Sequence, residues 1–247
     1  MSEMTGLTRT VVESRYALLT PDGFVPSHLP GWSNATAVVN ISPAIGARFS
    51  QLQITFGKNG SGRGKTGTLE FLIYAVEGEC SGKVGGKRLD LIAGSYVFLP
   101  PEMNFQFAGA EGSRLLVFQK KFEPLKGRKT PGIVAGHERR IAGRPFLGNK
   151  AALLQALLPD DPAFDMAVNI FTYQPEAALP FVETHVMEHG LLMLAGEGIY
   201  QLGSSRYSVK AGDVIWMAPY CPQWFVAGGK TPASYIYYKD VNRAPMQ

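Results

Sequence analysis

Cysteine is scarce in this chain of 247 residues, since only Cys80 and Cys221 are present. Two widely separated cysteines provide neither a disulfide framework nor the closely spaced pairs of a structural zinc site. We therefore expect both to be buried free thiols and assign them no functional role.

Long apolar runs are also missing. No stretch approaches the roughly 20 apolar residues that a membrane-spanning helix needs. The polar start of the chain, Met1 to Arg15, lacks the charged and then apolar pattern of a signal peptide. We therefore expect a cytoplasmic protein with no membrane partner.

The net charge of +4 is carried by one segment. Between Lys120 and Lys150, nine lysines and arginines face only Glu123 and Glu138, and the rest of the chain is slightly acidic. Prolines and glycines interrupt this segment, which predicts a solvated connector. Because the chain has no nucleic-acid-binding motif, we expect no nucleic-acid partner.

Turn-forming residues, in contrast, are abundant. The 28 glycines and 17 prolines are spread along the chain, which favours an all-β fold of short strands and tight turns. The glycine-rich stretch 57–65 lacks the Lys-Ser/Thr ending of a phosphate-binding loop, so we predict a flexible loop between strands there.

The second half of the chain repeats the first. A shift of 118 residues aligns Glu70 with Glu188, Ala93-Gly94 with Ala211-Gly212 and Pro101 with Pro219 without a gap. Two copies of one turn-rich β domain share such glycines and prolines because their turns need the same backbone geometry. We predict an N-terminal domain at 1–120, a basic linker at 121–160 and a C-terminal domain at 161–247.

Four potential metal ligands occur in the second copy: Glu183, His185, His189 and Gln223. A strand pair is the likelier host of the stretch Phe181 to Leu194. The first three ligands have odd numbers, so their side chains leave the same face of an extended strand. One carboxylate, one amide and two imidazoles form a mixed oxygen and nitrogen set. It suits Mn²⁺, with Fe²⁺ as the main competitor.

The first copy provides an internal control for this interpretation. Its equivalent positions carry Lys65, Gly67, Phe71 and Phe105, and none of these is a normal metal ligand. If these histidines only filled a core, the residue types at the four positions could differ between the copies at random. Instead, all four positions carry donors in the second copy and none does in the first. We therefore predict a metal in the second domain and none in the first.

These motifs resemble a known family. The ligand pattern, followed by Gly212, Asp213, Pro219 and Gln223, is similar to the two motifs of the cupin superfamily. Cupins usually present His-x-His-x(3,4)-Glu and a later His. Glu-x-His-x-x-x-His with a later Gln resembles the ureidoglycine aminohydrolases, as do the stretches 16–23 and 235–240.

The resemblance implies a bicupin, that is, two double-stranded jelly-roll barrels in tandem. It also implies a manganese-dependent hydrolase that converts (S)-ureidoglycine to (S)-ureidoglycolate and ammonia in purine degradation. Tyr200, Tyr235 and Lys239 are expected to line the substrate pocket. Lys239 would anchor the anionic substrate or transfer a proton, and Glu183 would be a ligand and an occasional proton acceptor.

Other functions remain open at this stage. A metal-dependent cupin dioxygenase would consume oxygen, and a non-catalytic bicupin that binds a small molecule would hold no stoichiometric metal.

The expected partners are a small ureide substrate and further copies of the chain in a homo-oligomer. The first domain is then structural or oligomer-forming.

Overall fold

The computed structural model describes residues 8–243 and confirms the all-β prediction. Helical structure among these residues is limited to three short 3₁₀ turns, Pro21–Gly23, Pro43–Ile45 and Glu138–Arg140. None of these helices is long and apolar enough to cross a membrane.

Ten strands form in the first half of the chain and ten in the second. The first ten are β1 (Val11–Val12), β2 (Tyr16–Leu19), β3 (Trp32–Ile41), β4 (Ser50–Lys65), β5 (Leu69–Glu77), β6 (Glu79–Val84), β7 (Lys87–Ile92), β8 (Ser95–Leu99), β9 (Asn104–Gly109) and β10 (Arg114–Lys121). The second ten are β11 (Val134–His137), β12 (Arg144–Phe146), β13 (Asn149–Ala156), β14 (Met166–Tyr173), β15 (His189–Ala195), β16 (Glu197–Leu202), β17 (Ser205–Lys210), β18 (Val214–Met217), β19 (Gln223–Ala227) and β20 (Ala233–Asp240).

The strands agree with the sequence repeat. A shift of 118 residues places β5 to β10 on β15 to β20, with ends that differ by at most two residues. The first copy curls into one sheet of nine strands, in the order β11-β8-β5-β10-β4-β9-β6-β7 with β3 on β4. The second copy contains a sheet in the order β1-β2-β18-β15-β20-β14-β13-β12 and a three-stranded sheet, β17-β16-β19. Two β-barrels therefore follow one another along the chain.

Each barrel also takes strands from outside its own repeat. At the N-terminus, β1 and β2 join the second barrel, where β2 pairs with β18. The basic segment 121–160, predicted as a linker, carries three strands. Of these, β11 pairs with β8 of the first barrel, while β12 and β13 extend the sheet of the second. The two barrels are therefore tied together at two places.

The prediction of a flexible loop at 57–65 is wrong, because these residues belong to β4. Within this stretch, residues 61–65 pair with β9, and Ser61 and Gly62 also pair with β3. A Cβ atom on Gly62 would come within 2.2 Å of the Trp32 ring, and one on Gly64 within 2.8 Å of the Phe105 ring. The glycines thus let aromatic rings lie directly on the strand backbone, a role that their turn-like composition conceals.

Apolar side chains form three layers. One cluster fills the first barrel and includes Ile54, Val97 and Phe107. A second fills the other barrel, and a third lies between the barrels and joins Leu72 and Phe118 of the first to residues of the second. Strand β15 is therefore buried on both faces: Leu191 points into its own barrel and Leu192 toward the other.

Candidate metal centre and substrate cavity

The four predicted ligands lie around one cavity of the second barrel, and they reach it from two strand ends and a loop. His189 is the first residue of β15 and Gln223 the first of β19. Glu183 and His185 lie in the loop that precedes β15.

The prediction that Glu183, His185 and His189 share one strand is wrong. Only His189 belongs to β15, and Glu183 is extended only where it pairs with Gln223 in an isolated β-bridge. The bridge has two backbone hydrogen bonds, of 2.8 and 2.9 Å, and the Tyr220 N–H donates to the His185 carbonyl at 2.7 Å. Backbone pairing with the start of β19 and the turn before it, rather than alternation along one strand, aims this loop at the cavity.

Three of the four side chains are in contact. The Nε2 atoms of His185 and His189 lie 3.1 Å apart, and Gln223 Nε2 lies 2.9 Å from His185 Nε2. The side chain of Glu183 lines the same cavity. Among residues 8–243, however, no three His, Cys, Asp or Glu side chains stand close enough to form a complete metal-binding group. The four-ligand set therefore stays a prediction, which requires Glu183 to turn toward the imidazoles.

The geometry of the imidazole pair fits a cation. Two nitrogen ligands at right angles, each about 2.1 Å from an ion, would be about 3 Å apart, close to the 3.1 Å between the two Nε2 atoms. A half-turn of the Gln223 amide would present its oxygen in place of its NH₂ group. Burial lowers the pKa of both His185 and His189, which favours the neutral imidazoles that bind metals. The residues present thus fit a divalent ion.

The cavity is small and has one cationic wall. Its volume is about 170 Å³, below the roughly 300–1,000 Å³ of sites for drug-sized ligands. Lys239 lines it, and this side chain also borders a neighbouring groove of about 720 Å³ that contains Arg140 and Arg144 of the basic segment. Burial raises the pKa of Glu183, and the positive charge of Lys239 opposes this rise. A small anion in the cavity would thus meet Lys239 beside the imidazoles.

The predicted substrate-binding residues all line this cavity. Tyr200, Tyr235 and Lys239 do so together with the four ligand candidates. The Tyr200 hydroxyl donates to Gln223 Oε1 at 3.5 Å, and the Tyr235 hydroxyl lies 3.2 Å from that of Tyr173. Burial raises the pKa of Tyr200 and of Tyr235, so both hydroxyls keep their protons and can act as donors.

Tyr237 was missed by the sequence analysis. It lines the cavity, and its ring centroid lies 5.5 Å from that of His189. The signal was available, because Tyr235, Tyr237 and Lys239 alternate along β20 and must share a face. Apolar side chains from elsewhere in the chain complete the wall, and no spacing rule could have assigned them. They are Phe146, Leu154, Phe171, Met187, Leu191 and Met217.

Both cysteines are buried free thiols, as predicted. Burial raises the pKa of Cys80 to about 12 and also raises the pKa of Cys221. Both thiols therefore stay protonated and unreactive near neutral pH.

Known proteins resemble this chain over its whole length, although no family model matches it. It is 36% identical to the (S)-ureidoglycine aminohydrolase of Arabidopsis thaliana over 249 aligned positions, which cover 100% of the chain and 82% of the plant protein. It is also 36% identical to the Escherichia coli K12 protein of that name, over 94% of the chain and 91% of the relative.

Solved structures agree with this similarity. The crystal structure of the Escherichia coli protein Ylba superposes with a TM-score of 0.87 at 31% identity, and the match covers 100% of both chains. A cupin 2 conserved barrel domain protein from Leptotrichia buccalis superposes with a TM-score of 0.62 at 10% identity, over 88% of this chain and 92% of the other. The second likeness concerns the fold alone and agrees with a cupin-type barrel fold.

Proposed function

The chain belongs to the (S)-ureidoglycine aminohydrolase family, and on this premise we propose that it hydrolyses (S)-ureidoglycine to (S)-ureidoglycolate and ammonia with a bound Mn²⁺ ion. The observation that carries the proposal is the placement of Lys239 in the same small cavity as His185, His189 and Gln223. The cavity therefore places the Lys239 ammonium, which attracts anions, beside His185, His189 and Gln223, which can hold a cation.

The substrate is small, carries a carboxylate and has one carbon that bears both an amine and a ureido nitrogen. Lys239 would pair with the carboxylate, since its ammonium group is a compact charge on a flexible stem. The hydroxyls of Tyr200 and Tyr235 would donate hydrogen bonds to the ureido oxygen. Contacts on several sides would select one handedness of the central carbon, and the name of the relatives supports the S form.

The reaction replaces one C–N bond with a C–O bond. A water molecule supplies the hydroxyl group to the central carbon, and the amine leaves as ammonia after it takes up a proton. Glu183 would accept the proton of the water, and Lys239 would deliver one to the amine, because both groups line the cavity. A divalent ion held by Glu183, His185, His189 and Gln223 would supply Lewis-acid polarisation and orient the carboxylate.

Manganese is the proposed metal because of the donor set. An amide oxygen and a carboxylate beside two imidazoles form a harder set than the sites preferred by copper or zinc, and Fe²⁺ is the competitor to be tested. We keep the cytoplasmic location and the homo-oligomer as predictions, because neither follows from the cavity.

The decisive experiment measures ammonia release from (S)-ureidoglycine generated in situ, with protein reconstituted with Mn²⁺, with Fe²⁺ or left metal-free. We expect the Mn²⁺ form to release ammonia enantioselectively and at the same rate with and without oxygen. A rate at the uncatalysed background would reject the hydrolase and favour a binding protein. Oxygen consumption coupled to turnover would favour a dioxygenase.

A further inference from the structure

The first barrel places one short segment directly behind the candidate metal centre. Residues 48–51, at the start of β4, run along β15 of the second barrel. Phe49 stacks on Tyr238 with ring centroids 4.2 Å apart, and the Gln51 side chain donates to the Leu191 carbonyl at 3.3 Å. A Cβ atom on Gly190 would come within 2.3 Å of the Phe49 ring. The two barrels are therefore in close contact at the strand that begins with His189.

Arg48, the first residue of this segment, bridges two carboxylates of the second barrel. Its backbone N–H lies 3.2 and 3.0 Å from the two oxygens of Glu188, and its Nε lies 3.5 Å from Glu188 Oε2. Its Nη2 donates to Asp240 Oδ2 at 2.7 Å. The remaining contacts close the cluster, since Trp216 Nε1 donates to Glu188 Oε1 at 2.8 Å and the Glu188 N–H donates to Asp240 Oδ1 at 2.5 Å.

These two carboxylates flank the residues that face the cavity. Glu188 precedes His189, Asp240 follows Lys239, and His189 and Lys239 are direct partners in the register of β15 and β20. Because side chains alternate along a strand, Glu188 and Asp240 point away from the cavity while His189 and Lys239 point into it. One guanidinium therefore holds, from behind, both strand ends that carry a predicted ligand and the predicted substrate anchor.

The repeat shows that this bridge is specific to the barrel with the metal cluster. Glu70 is the counterpart of Glu188, but Phe122 is the counterpart of Asp240, and the pairing of β4 with β10 and of β14 with β20 puts Ala167 at the place of Arg48. Glu70 lies instead beside Asp165 and Lys120. The barrel without the ligand set has the buried glutamate and lacks the arginine bridge.

We propose that Arg48, supplied by the metal-free barrel, is a positioning residue for the centre in the other barrel. It joins Glu188 to Asp240 and thereby fixes the spacing between His189 and Lys239. This inference rests on the proposed function only for its catalytic readout, because a metal affinity can be measured without any substrate.

A purely structural role predicts a different pattern of effects. The Arg48 side chain is 47% exposed, and ion pairs at such exposure contribute little to stability. The control is Arg114, which also lies in the first barrel, is 41% exposed and forms one ion pair, with Glu77 at 2.9 Å. If both arginines act only through their charge pairs, their replacement should have similar small effects on the melting temperature and none on metal affinity.

The test compares Arg48→Ala, Arg48→Lys and Arg114→Ala with the wild type in the full chain. The readouts are the Mn²⁺ dissociation constant from the electron paramagnetic resonance signal of free Mn²⁺, kcat and KM, and hydrogen exchange at the Glu188 amide. For Arg48→Ala we expect about tenfold weaker Mn²⁺ binding and about tenfold lower kcat, at the lower end of the effects of residues that support metal ligands. KM should change less, and the Glu188 amide should exchange faster because Asp240 loses its anchor.

Arg48→Lys should recover part of the loss, because lysine keeps the charge but cannot span two carboxylates as a planar fork. If Arg48→Ala does not fold, Arg48→Lys decides alone, with intermediate Mn²⁺ affinity expected. Mn²⁺ affinity and kcat equal to those of Arg114→Ala would overturn the proposal. A wild-type protein without ureidoglycine turnover, whose Mn²⁺ affinity still falls in Arg48→Ala, would reject the proposed function and leave the positioning role intact.

Discussion

In the first barrel, Phe71 and Phe105 occupy the positions of His189 and Gln223, and their ring centroids lie 5.8 Å apart. Lys65, which the 118-residue shift aligns with Glu183, forms an ion pair with Glu102, and Gly67, aligned with His185, turns the chain with a positive φ of 58°. A depression of about 490 Å³ in this barrel is lined by other residues, such as Ser81, Arg88 and Phe107. The same arrangement of strands therefore supports an aromatic filling in one barrel and a polar cluster in the other.

The fold supplies equivalent positions in both barrels, and the side chains at these four positions differ in chemical type. The barrels differ in strand length and pairing, because β4 has 16 residues and pairs with β9, whereas β14 has 8 residues and the chain after it meets β19 only through isolated bridges. They differ also in the side chains at the strand ends and in the interface behind them. Each of the following predictions tests one member of a matched pair.

The largest expected effect comes from His185→Ala, which removes the imidazole that contacts both His189 and Gln223. We expect loss of bound Mn²⁺ and of turnover, because the remaining donors no longer converge. Metal content by mass spectrometry and ammonia release are the measurements. His28→Ala, which changes an exposed histidine of the first half, serves as the control. Full activity in His185→Ala would refute the site.

The next effect separates Lys239 from its counterpart Lys121. Lys239→Met should lower kcat/KM by about 10²- to 10⁴-fold, the range for loss of a proton-transfer group, while Mn²⁺ stays bound. Lys121→Met changes an exposed lysine of the first barrel and should leave the kinetics unchanged. Equal activities of the two variants would show that the lysine is a feature of the fold rather than of the site.

A smaller effect is expected at the contact between the barrels. Gly190→Ala places a methyl group against the Phe49 ring, which Tyr238 holds in place, so we expect a destabilisation of about 1–3 kcal/mol in urea unfolding. Gly132→Ala is the control, because no heavy atom lies within 4 Å of its added Cβ. A Gly190→Ala variant as stable as the control would mean that the Phe49 ring can move to accommodate the methyl group at little cost in free energy.

The last comparison concerns the pH dependence of stability at Glu70, the counterpart of Glu188. Burial, with the neighbouring charge of Asp165, raises the pKa of Glu70 from 4.5 to about 9. In the described part of the chain, neither Glu70 oxygen nor Asp165 Oδ1 receives a hydrogen bond from an N–H or O–H donor. A proton on Glu70 that is donated to Asp165 would satisfy both carboxyl groups.

The sign of the effect follows from the raised pKa of Glu70. Between about pH 4.5 and 9 the folded protein keeps a proton that the unfolded chain releases, so stability falls as the pH rises through this window. Glu70→Gln cannot lose a proton and should flatten the decline in the free energy of unfolding, measured by urea titration at several pH values. Parallel curves for the variant and the wild type would contradict a protonated Glu70.

The sequence predicted the all-β class, the repeat and the residues around the cavity. These features can be predicted because they depend on residue type at single positions, such as glycines at turns and polar residues at strand ends. The sequence analysis placed Glu183 and His185 on a strand because both have odd numbers, but residues of a loop can have odd numbers too. The isolated bridge between Glu183 and Gln223 is what distinguishes the loop from a continuous strand. The sequence analysis predicted a loop at 57–65 because the sequence does not distinguish a glycine packed under the Trp32 ring from a glycine in a turn.

The role of Arg48 could not be predicted from the sequence for a different reason. Its two partners, Glu188 and Asp240, are 140 and 192 positions away, and the contact exists only after both barrels have docked. Glu188 is adjacent to His189, so alternation along an extended chain places its side chain on the opposite face. No pattern within either copy indicated which residue of the other copy would meet it.

The pairing of β2 with β18 also affects the order in which the molecule can be completed. During synthesis the strand at Tyr16–Leu19 leaves the ribosome before its partner at Val214–Met217, which follows almost two hundred residues later. Until then its backbone N–H and C=O groups must remain hydrated or find temporary partners. The sheet of the second barrel therefore cannot be completed until the chain has been synthesised through β18.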